Sequence, residues 1–415
     1  MKHSITFCLL VLAMATQALA EAVPVKIVPG KGITRGGEPY FVKGAGGDKH
    51  LDEVVATGGN SIRTWTTNGL GEILDEAQKH GLTVCAGTWL EPECNWFSYA
   101  NAEQCAKQLA RVKKEVMEFR DHPAMLFWGL GNEAEGDGNN AVYWKQLEAL
   151  AKMVKEVDPA HPTFTAVAGL SPDKAKGLNE HTPSLDFVGI NTYAALPSLR
   201  KHLEKVGWKR PWVVTEYGAR GFWESPRAPW GAPIEQTSGE KAKTIRKGYE
   251  AAIQPGTDCW GGYVFLWGQK QEATLTWFGI FTDHGESTAV RDLMHELWKG
   301  TPPPERAPDI ATLTSDAAKK EIAAGSEFTA EARASDLDGD ALSWHWTVTA
   351  EKAGRDAHGK ERITAPMAEC VMKSEGDHAT FRAPKKPGEY RVHLRVTDSR
   401  QRAATANFPF KVIAP

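Results

Sequence analysis

Asp121-His122-Pro123-Ala124-Met125-Leu126-Phe127-Trp128-Gly129-Leu130-Gly131-Asn132-Glu133 is the stretch on which the reading of this chain turns. An apolar run of β-like composition ends in an amide, and a carboxylate follows at once. A second run, Pro211-Trp212-Val213-Val214-Thr215-Glu216-Tyr217-Gly218, delivers Glu216 in the same way. Most acids of a globular chain are solvated surface charges. An acid that directly follows an almost wholly apolar strand emerges instead at the rim of a sheet.

Outward from these two runs, residues 38–300 alternate short apolar segments with longer amphipathic ones, the pattern of a parallel sheet with crossover helices. Candidate strands are 40–44, 61–65, 82–87, 125–130, 163–168, 186–191, 212–216 and 262–267; helical candidates include 71–80, 102–119, 142–157, 199–206, 240–253 and 289–298. Eight strand-and-helix units over about 260 residues match a (β/α)8 TIM barrel. An open doubly wound sheet would gather its ligands at one switch point. Here Asp48, Arg63, Trp89, Glu133, Tyr193, Glu216 and Trp267 fall at or just beyond the C-terminal ends of different strands, the face on which barrels build active sites.

The expected class is therefore α/β, with a barrel over 21–300. Thr301-Pro302-Pro303-Pro304-Glu305-Arg306-Ala307-Pro308 reads as a proline-rich linker. Within 309–415, the segments 327–334, 342–350, 379–383, 390–397 and 403–412 alternate at period two, which predicts a small all-β sandwich.

The whole chain sets wider bounds. Its 415 residues, 41% apolar and 24% charged, suffice for one large core and a smaller one. With 49 basic against 52 acidic residues and no basic block, nucleic acid is not an expected partner. Lys2 and His3, the apolar run 5–15 and Ala18-Leu19-Ala20 read as a signal peptide over 1–20, so an exported protein, periplasmic or secreted, is expected. The apolar run is too short for a membrane span. Beyond it stand Cys85, Cys94, Cys105, Cys259 and Cys370, an odd number; Cys94 and Cys105 flank one loop and either pair or stay free. No Cys/His cluster suggests a metal, and Asp336-Leu337-Asp338-Gly339-Asp340 lacks the downstream glutamate of an EF-hand and reads as a turn. No cofactor is expected.

Two carboxylates on one rim are the minimal machinery for breaking a glycosidic bond. One protonates the leaving oxygen and the other meets the positive charge that develops at the anomeric carbon. Asn132-Glu133 after the fourth strand and Glu216 after the seventh resemble the retaining glycoside hydrolases of clan A. Residues 121–133 are similar to the strand-four signature of the β-galactosidase, β-glucuronidase and β-mannosidase family, and the cellulase/mannanase family has a comparable segment. The resemblance spans roughly residues 24–300.

It implies Glu133 as acid and then base, Glu216 as nucleophile, and a carboxyl separation of roughly 5–5.5 Å. It also implies that Asn132 binds the sugar 2-hydroxyl, that Arg63 stands beside the nucleophile and favours its charged form, and that Tyr193 donates to it. Where many clan members carry histidine near strands three and six, this chain has Trp89 and Asn191, both substrate-binding candidates.

Sugar rings stack on aromatics. Trp267 is the expected subsite floor, while Trp65, Trp89, Trp96, Phe97, Trp223 and Trp230 are expected along the cleft. Asp48, Glu91, Glu135, Glu224 and Glu272 are rim acids that either bind hydroxyls or remain solvated. The Asp336 segment, with Gly388-Glu389-Tyr390-Arg391-Val392 and Val396-Thr397-Asp398, resembles the immunoglobulin-like PKD or cadherin-like modules appended to exported enzymes. The function expected is retaining hydrolysis of a β-linked oligo- or polysaccharide. Transglycosylation by the same pair, and carbohydrate binding without catalysis on a barrel scaffold, are the alternatives.

Overall fold

The computed structural model describes residues 21–255, 258–356 and 359–414. The leader read at 1–20 lies outside the described residues. Three short antiparallel strands come first, β1 (Val25–Val28), β2 (Gly32–Arg35) and β3 (Glu38–Tyr40). Strands this short carry no readable period, so the sequence pattern did not reveal them. Tyr40, expected to open the barrel, instead ends β3.

Eight parallel strands then close into a barrel: β4 (Val42–Gly46), β5 (Ser61–Arg63), β6 (Thr83–Thr88), β7 (Met125–Asn132), β8 (Thr163–Ala168), β9 (Phe187–Asn191), β10 (Trp212–Tyr217) and β11 (Cys259–Val264). They neighbour one another in chain order, and β11 pairs with β4 to complete the ring. Eight helices follow them: α1 (Leu51–Ala56), α2 (Leu70–Lys79), α3 (Ala102–Phe119), α4 (Ala141–Val157), α5 (Pro172–His181), α6 (Leu199–Lys205), α7 (Ser238–Ala252) and α8 (Ala289–Lys299). Their starts have local causes. Asn101 and Asn140 accept backbone N–H bonds at the heads of α3 and α4, and Thr237 with Glu240 forms a capping box on α7. Helix α2 buries Leu70, Leu74 and Ala77, one stripe at helical spacing.

The barrel is a packed core and not a pore. Phe164 and Phe187 stack at 4.8 Å, Phe127 meets Phe187 edge-on at 4.9 Å, and Tyr263 and Trp260 fill the space beside them. Tyr263 leaves no room on the adjacent strand β4: a Cβ at Gly44 would stand 2.2 Å from its ring.

Beyond the barrel, β12 (Asp309–Ser315), β13 (Glu321–Ala323), β14 (Glu327–Ser335), β15 (Ser343–Ala350), β16 (Val371–Glu375), β17 (His378–Arg382), β18 (Gly388–Thr397) and β19 (Ala403–Ile413) form two four-stranded sheets. The sheets enclose a core that includes Phe328, Trp346, Phe381, Tyr390 and Phe410. Strands β12, β13 and β16 were not foreseen. β13 is short, and β16 is exposed along most of its length, so neither shows an apolar alternation.

The stretch 301–308 runs between the barrel and the sandwich. It is tied to both domains: Ala307 N donates to Asp292 Oδ2 at 2.6 Å, Arg306 N to Asp338 Oδ2 at 2.6 Å, and His295 Nδ1 to Thr301 O at 3.0 Å. Helix α8 ends on Gly300 at φ +80°, ahead of the prolines. Asp336 accepts from Asp338 N at 2.7 Å, a turn. Cys94 and Cys105 are free thiols. Among the described residues no helix is long and apolar enough to cross a membrane, and no group of three or more His, Cys, Asp or Glu side chains is arranged to hold a metal ion.

The filled interior makes a prediction. Gly44→Ala forces a methyl into the Tyr263 ring and should destabilise the fold by about 1–3 kcal/mol. Gly44→Ala combined with Tyr263→Leu should lose less than the two changes add up to. Urea unfolding reads both, and an unchanged midpoint in Gly44→Ala would contradict this packing.

Candidate active site

Filling the barrel decides how the rim is built. On β7 the interior takes Phe127, and Phe164 lies 2.8 Å from where a Cβ at Gly129 would be. Between Gly129 and Asn132 the pairing with β8 then shifts register. The bulge includes Gly131 at φ +84°, a conformation glycine adopts without cost. It brings Asn132 onto the cleft. Strand β10 does the same, its register against β9 shifting between Val213 and Glu216.

Glu133 itself has φ +54°, and its N–H donates to Ala166 O at 2.8 Å. A non-glycine residue held in this region costs of order 1–3 kcal/mol, and such strain concentrates at functional sites.

One hydrogen-bond network joins the two carboxylates. Arg63 Nη1 donates to Glu216 Oε1 at 2.9 Å and to Thr215 O at 2.8 Å, while its Nη2 donates to Asn132 Oδ1 at 2.7 Å. Asn191 Nδ2 donates to that same Asn132 oxygen at 3.1 Å and to Glu133 Oε1 at 2.7 Å. Thr215 Oγ1 donates to Asn191 Oδ1 at 2.7 Å, which fixes the way the Asn191 amide faces. With the Asn132 oxygen engaged twice, its amino group is left to donate to a ligand.

Glu216 accepts two further bonds, from Trp65 Nε1 at 2.7 Å and from Tyr193 Oη at 2.8 Å. Arg63 and Glu216 are 2% and 7% exposed, so this charge pair sits in the protein interior. Burial and the Glu216 charge hold the Tyr193 phenol well above its ordinary pKa, so it remains a donor.

Glu133 stands differently. It opens onto the cleft, yet desolvation by the surrounding walls raises its pKa, and the charges of Glu216 and Glu135 add to the rise. The hydrogen bond from Asn191 and the Lys174 charge oppose it without cancelling it. The two carboxyls thus stand in different surroundings, Glu216 against the Arg63 guanidinium and Glu133 against the Asn191 amide.

The cleft has a volume of about 810 Å³. Trp65, Tyr193, Trp223 and Phe265 supply its aromatic surface, and Glu224, Lys270 and Glu272 its outer polar wall. Asn132, Asn191, Glu133 and Glu216 line it as well, above Arg63.

Trp267 is a correction. It is 1% exposed, its ring stacks 5.9 Å from Trp298, and its Nε1 donates to His50 O, so it packs behind the rim instead of flooring a subsite. The strand ends at Val264, three residues sooner than the apolar run suggests, and Phe265 takes the place on the cleft. Trp89 and Trp96 are 43% and 67% exposed and lie outside the cleft lining, while Phe97 is buried. Trp230 does not reach the cleft either.

Among the rim acids, Glu135 is buried in an ion pair with Lys174 at 2.7 Å, Glu91 bonds Arg111 and Gln108, and Asp48 is solvated. Sequence reasoning missed Lys174, Phe265 and Lys270. A lysine in a loop or helix carries no signal of what it will meet.

Residues 67–225 match the family described as Glycosyl hydrolases family 2, TIM barrel domain. The matched span carries Asn132, Glu133, Asn191, Tyr193 and Glu216. A β-glucuronidase of Pongo abelii is 25% identical over 272 residues, covering 58% of this chain and 39% of that protein. One from Bacteroides fragilis is 28% identical over 213 residues, covering 47% and 29%. A β-galactosidase of Klebsiella pneumoniae is 31% identical over 117 residues, covering 26% and 10%. This chain therefore spans well under half the length of these relatives. Among solved structures, a Faecalibacterium prausnitzii β-glucuronidase shares the fold at TM-score 0.55 with 16% identity, over 68% of this chain and 52% of that one. A Bacteroides uniformis β-glucuronidase 2 variant does so at 0.52 with 14% identity, over 94% and 47%.

The raised Glu133 pKa has a consequence for stability. A carboxyl that titrates above its ordinary value in the folded chain favours folding at acid pH, and that contribution is lost as pH rises through the folded pKa. Glu133→Gln should therefore raise Tm more at pH 7 than at pH 4. Carbon-13 titration of the Glu133 carboxyl should give a midpoint above that of exposed glutamates, and Asn191→Ala should move it higher still. A midpoint that falls in Asn191→Ala would contradict the site electrostatics.

Proposed function

We propose that the chain is a retaining β-glycoside hydrolase acting on a β-linked oligo- or polysaccharide through a glycosyl-enzyme intermediate. The observation that carries this reading is the pair of carboxyls at the ends of β7 and β10, tied by one network, with Glu216 paired to the Arg63 guanidinium and Glu133 bonded to Asn191. In the first step Glu133 gives its proton to the glycosidic oxygen while Glu216 bonds the anomeric carbon and the leaving alcohol departs. In the second, Glu133 takes a proton from water, which displaces Glu216 and restores both residues with the anomeric configuration retained. Asn132 donates to the 2-hydroxyl, and Trp65, Tyr193 and Arg63 hold the nucleophile in line.

The relatives named β-glucuronidase raise a second reading, a uronide. Lys270 favours it, as the one cation among the described residues that line the cleft. Its Nζ is already paired with Glu272 Oε2 at 2.8 Å, and Glu224 stands in the same wall. A sugar carboxylate would have to enter against that charge. A neutral sugar is the reading the cleft supports better. Export by the leader at 1–20 and an immunoglobulin-like or PKD-like character for the sandwich belong to the same proposal.

Three outcomes test it. Proton NMR of the first product should show the β anomer. Glu216→Ala should lower kcat/KM by about 10³-fold or more; undiminished turnover in that variant would sink the assignment. Neutral β-glycosides should be cleaved at least about tenfold better than the matching β-glucuronide, and Glu272→Gln should narrow that gap by freeing Lys270.

A further inference from the structure

Glu235 ends the loop that follows β10 and is 7% exposed. Its Oε1 accepts from Lys241 Nζ of α7 and from Thr276 Oγ1 at 2.9 Å. Its Oε2 accepts from Thr274 Oγ1 at 2.5 Å and from Asn407 Nδ2 of β19 at 2.7 Å. One carboxylate thus joins the loop after β10, the loop after β11, a barrel helix and the sandwich. Burial alone would push its pKa up, but the charge and hydrogen bond of Lys241, with Thr274 and Arg391, outweigh burial and hold it at about 2. The joint stays charged across the working pH range.

Arg391 completes the joint from the sandwich side. Its side chain is wholly buried, and it donates to Asn407 Oδ1 at 2.6 Å, to Pro233 O at 2.7 Å and to both Glu351 oxygens. A further tie runs from Ala273 N to Glu361 Oε2 at 2.8 Å, one residue past Glu272 of the cleft. The two loops held in this way carry Trp223, Glu224, Lys270 and Glu272, the outer wall of the candidate active site.

We propose that the sandwich is a positioning element of that site, setting the wall formed by the loops after β10 and β11 through Asn407 and Arg391. Neither residue lines the cleft. Loops fixed by a few buried polar bonds open locally when one partner is removed, because the partner left behind is buried and unsatisfied. The carboxyl pair hangs on Arg63 and Asn191 instead, so loss of the sandwich joint should loosen substrate binding and leave the chemical step in place. The kinetic half of this argument rests on the proposed glycosidase reading, while the structural half does not.

The test uses the full chain with Asn407→Leu, and Asn407→Gln as the conservative variant. Hydrogen exchange read by mass spectrometry should rise about tenfold or more in 219–237 and 266–276, with β7 and β10 unchanged. For a β-glycoside that the wild type cleaves, KM should rise about tenfold with kcat within about threefold, and Asn407→Gln should recover part of both changes. Unchanged exchange in the two loops, a uniform rise across the barrel, or a fall in kcat at constant KM would overturn the proposal. Should Asn407→Leu fail to fold, Glu361→Ala removes a single tie, and exchange confined to 270–276 supports the proposal while no change there opposes it. If the wild type cleaves no glycoside, the glycosidase reading fails and the exchange data alone decide the positioning role.

Discussion

The buried guanidinium of Arg63 is the contact on which the candidate site depends. It reaches Glu216 on β10, the Thr215 carbonyl beside it and Asn132 on β7, strands that are not neighbours in the barrel. A lysine would supply the charge without the planar fork that reaches several acceptors at once. Removing one partner of a buried pair of this kind costs about 3–5 kcal/mol, because the other charge is left without compensation. The same residue therefore supports both local stability and the alignment of the two carboxyls.

Above that contact, the geometry follows from the filled barrel. Once Phe127, Phe164, Phe187 and Tyr263 occupy the interior, regular strands would keep their alternation to the rim. Bulges in β7 and β10 change the alternation just before Asn132 and Glu216. The left-handed backbone of Glu133 extends the same departure by one residue. Irregular backbone thus appears where the proposed chemistry needs side chains re-aimed, while the strands beneath remain regular enough to be stable.

Much of this is legible in the sequence. The eight strand-and-helix units show because buried parallel strands are continuous apolar runs and helices such as α2 keep an apolar stripe. Arg63, Glu133, Tyr193 and Glu216 are legible from their places at strand ends, Asn132 and Asn191 through the resemblance, and the structure brings the six together. Trp267 was misplaced because the run 262–267 is apolar throughout while strand pairing stops at Val264, and composition does not show where hydrogen bonding ends. Glu235 was invisible for the opposite reason. A buried acid in a polar loop reads like any solvated one until Lys241, Thr274, Thr276 and Asn407 converge on it from distant parts of the chain.

The central claim is that Glu216, held by Arg63, Trp65 and Tyr193, is the atom-bonding partner of the anomeric carbon. A 2-deoxy-2-fluoro glycoside with a good leaving group slows release of the intermediate and exposes that bond to mass spectrometry. Incubation with the fluoro derivative of a sugar the protein cleaves should add one glycosyl unit to the intact chain, and peptide mapping should locate it on Glu216. Continued turnover of the parent glycoside with no adduct, or an adduct on any other residue, would contradict the account.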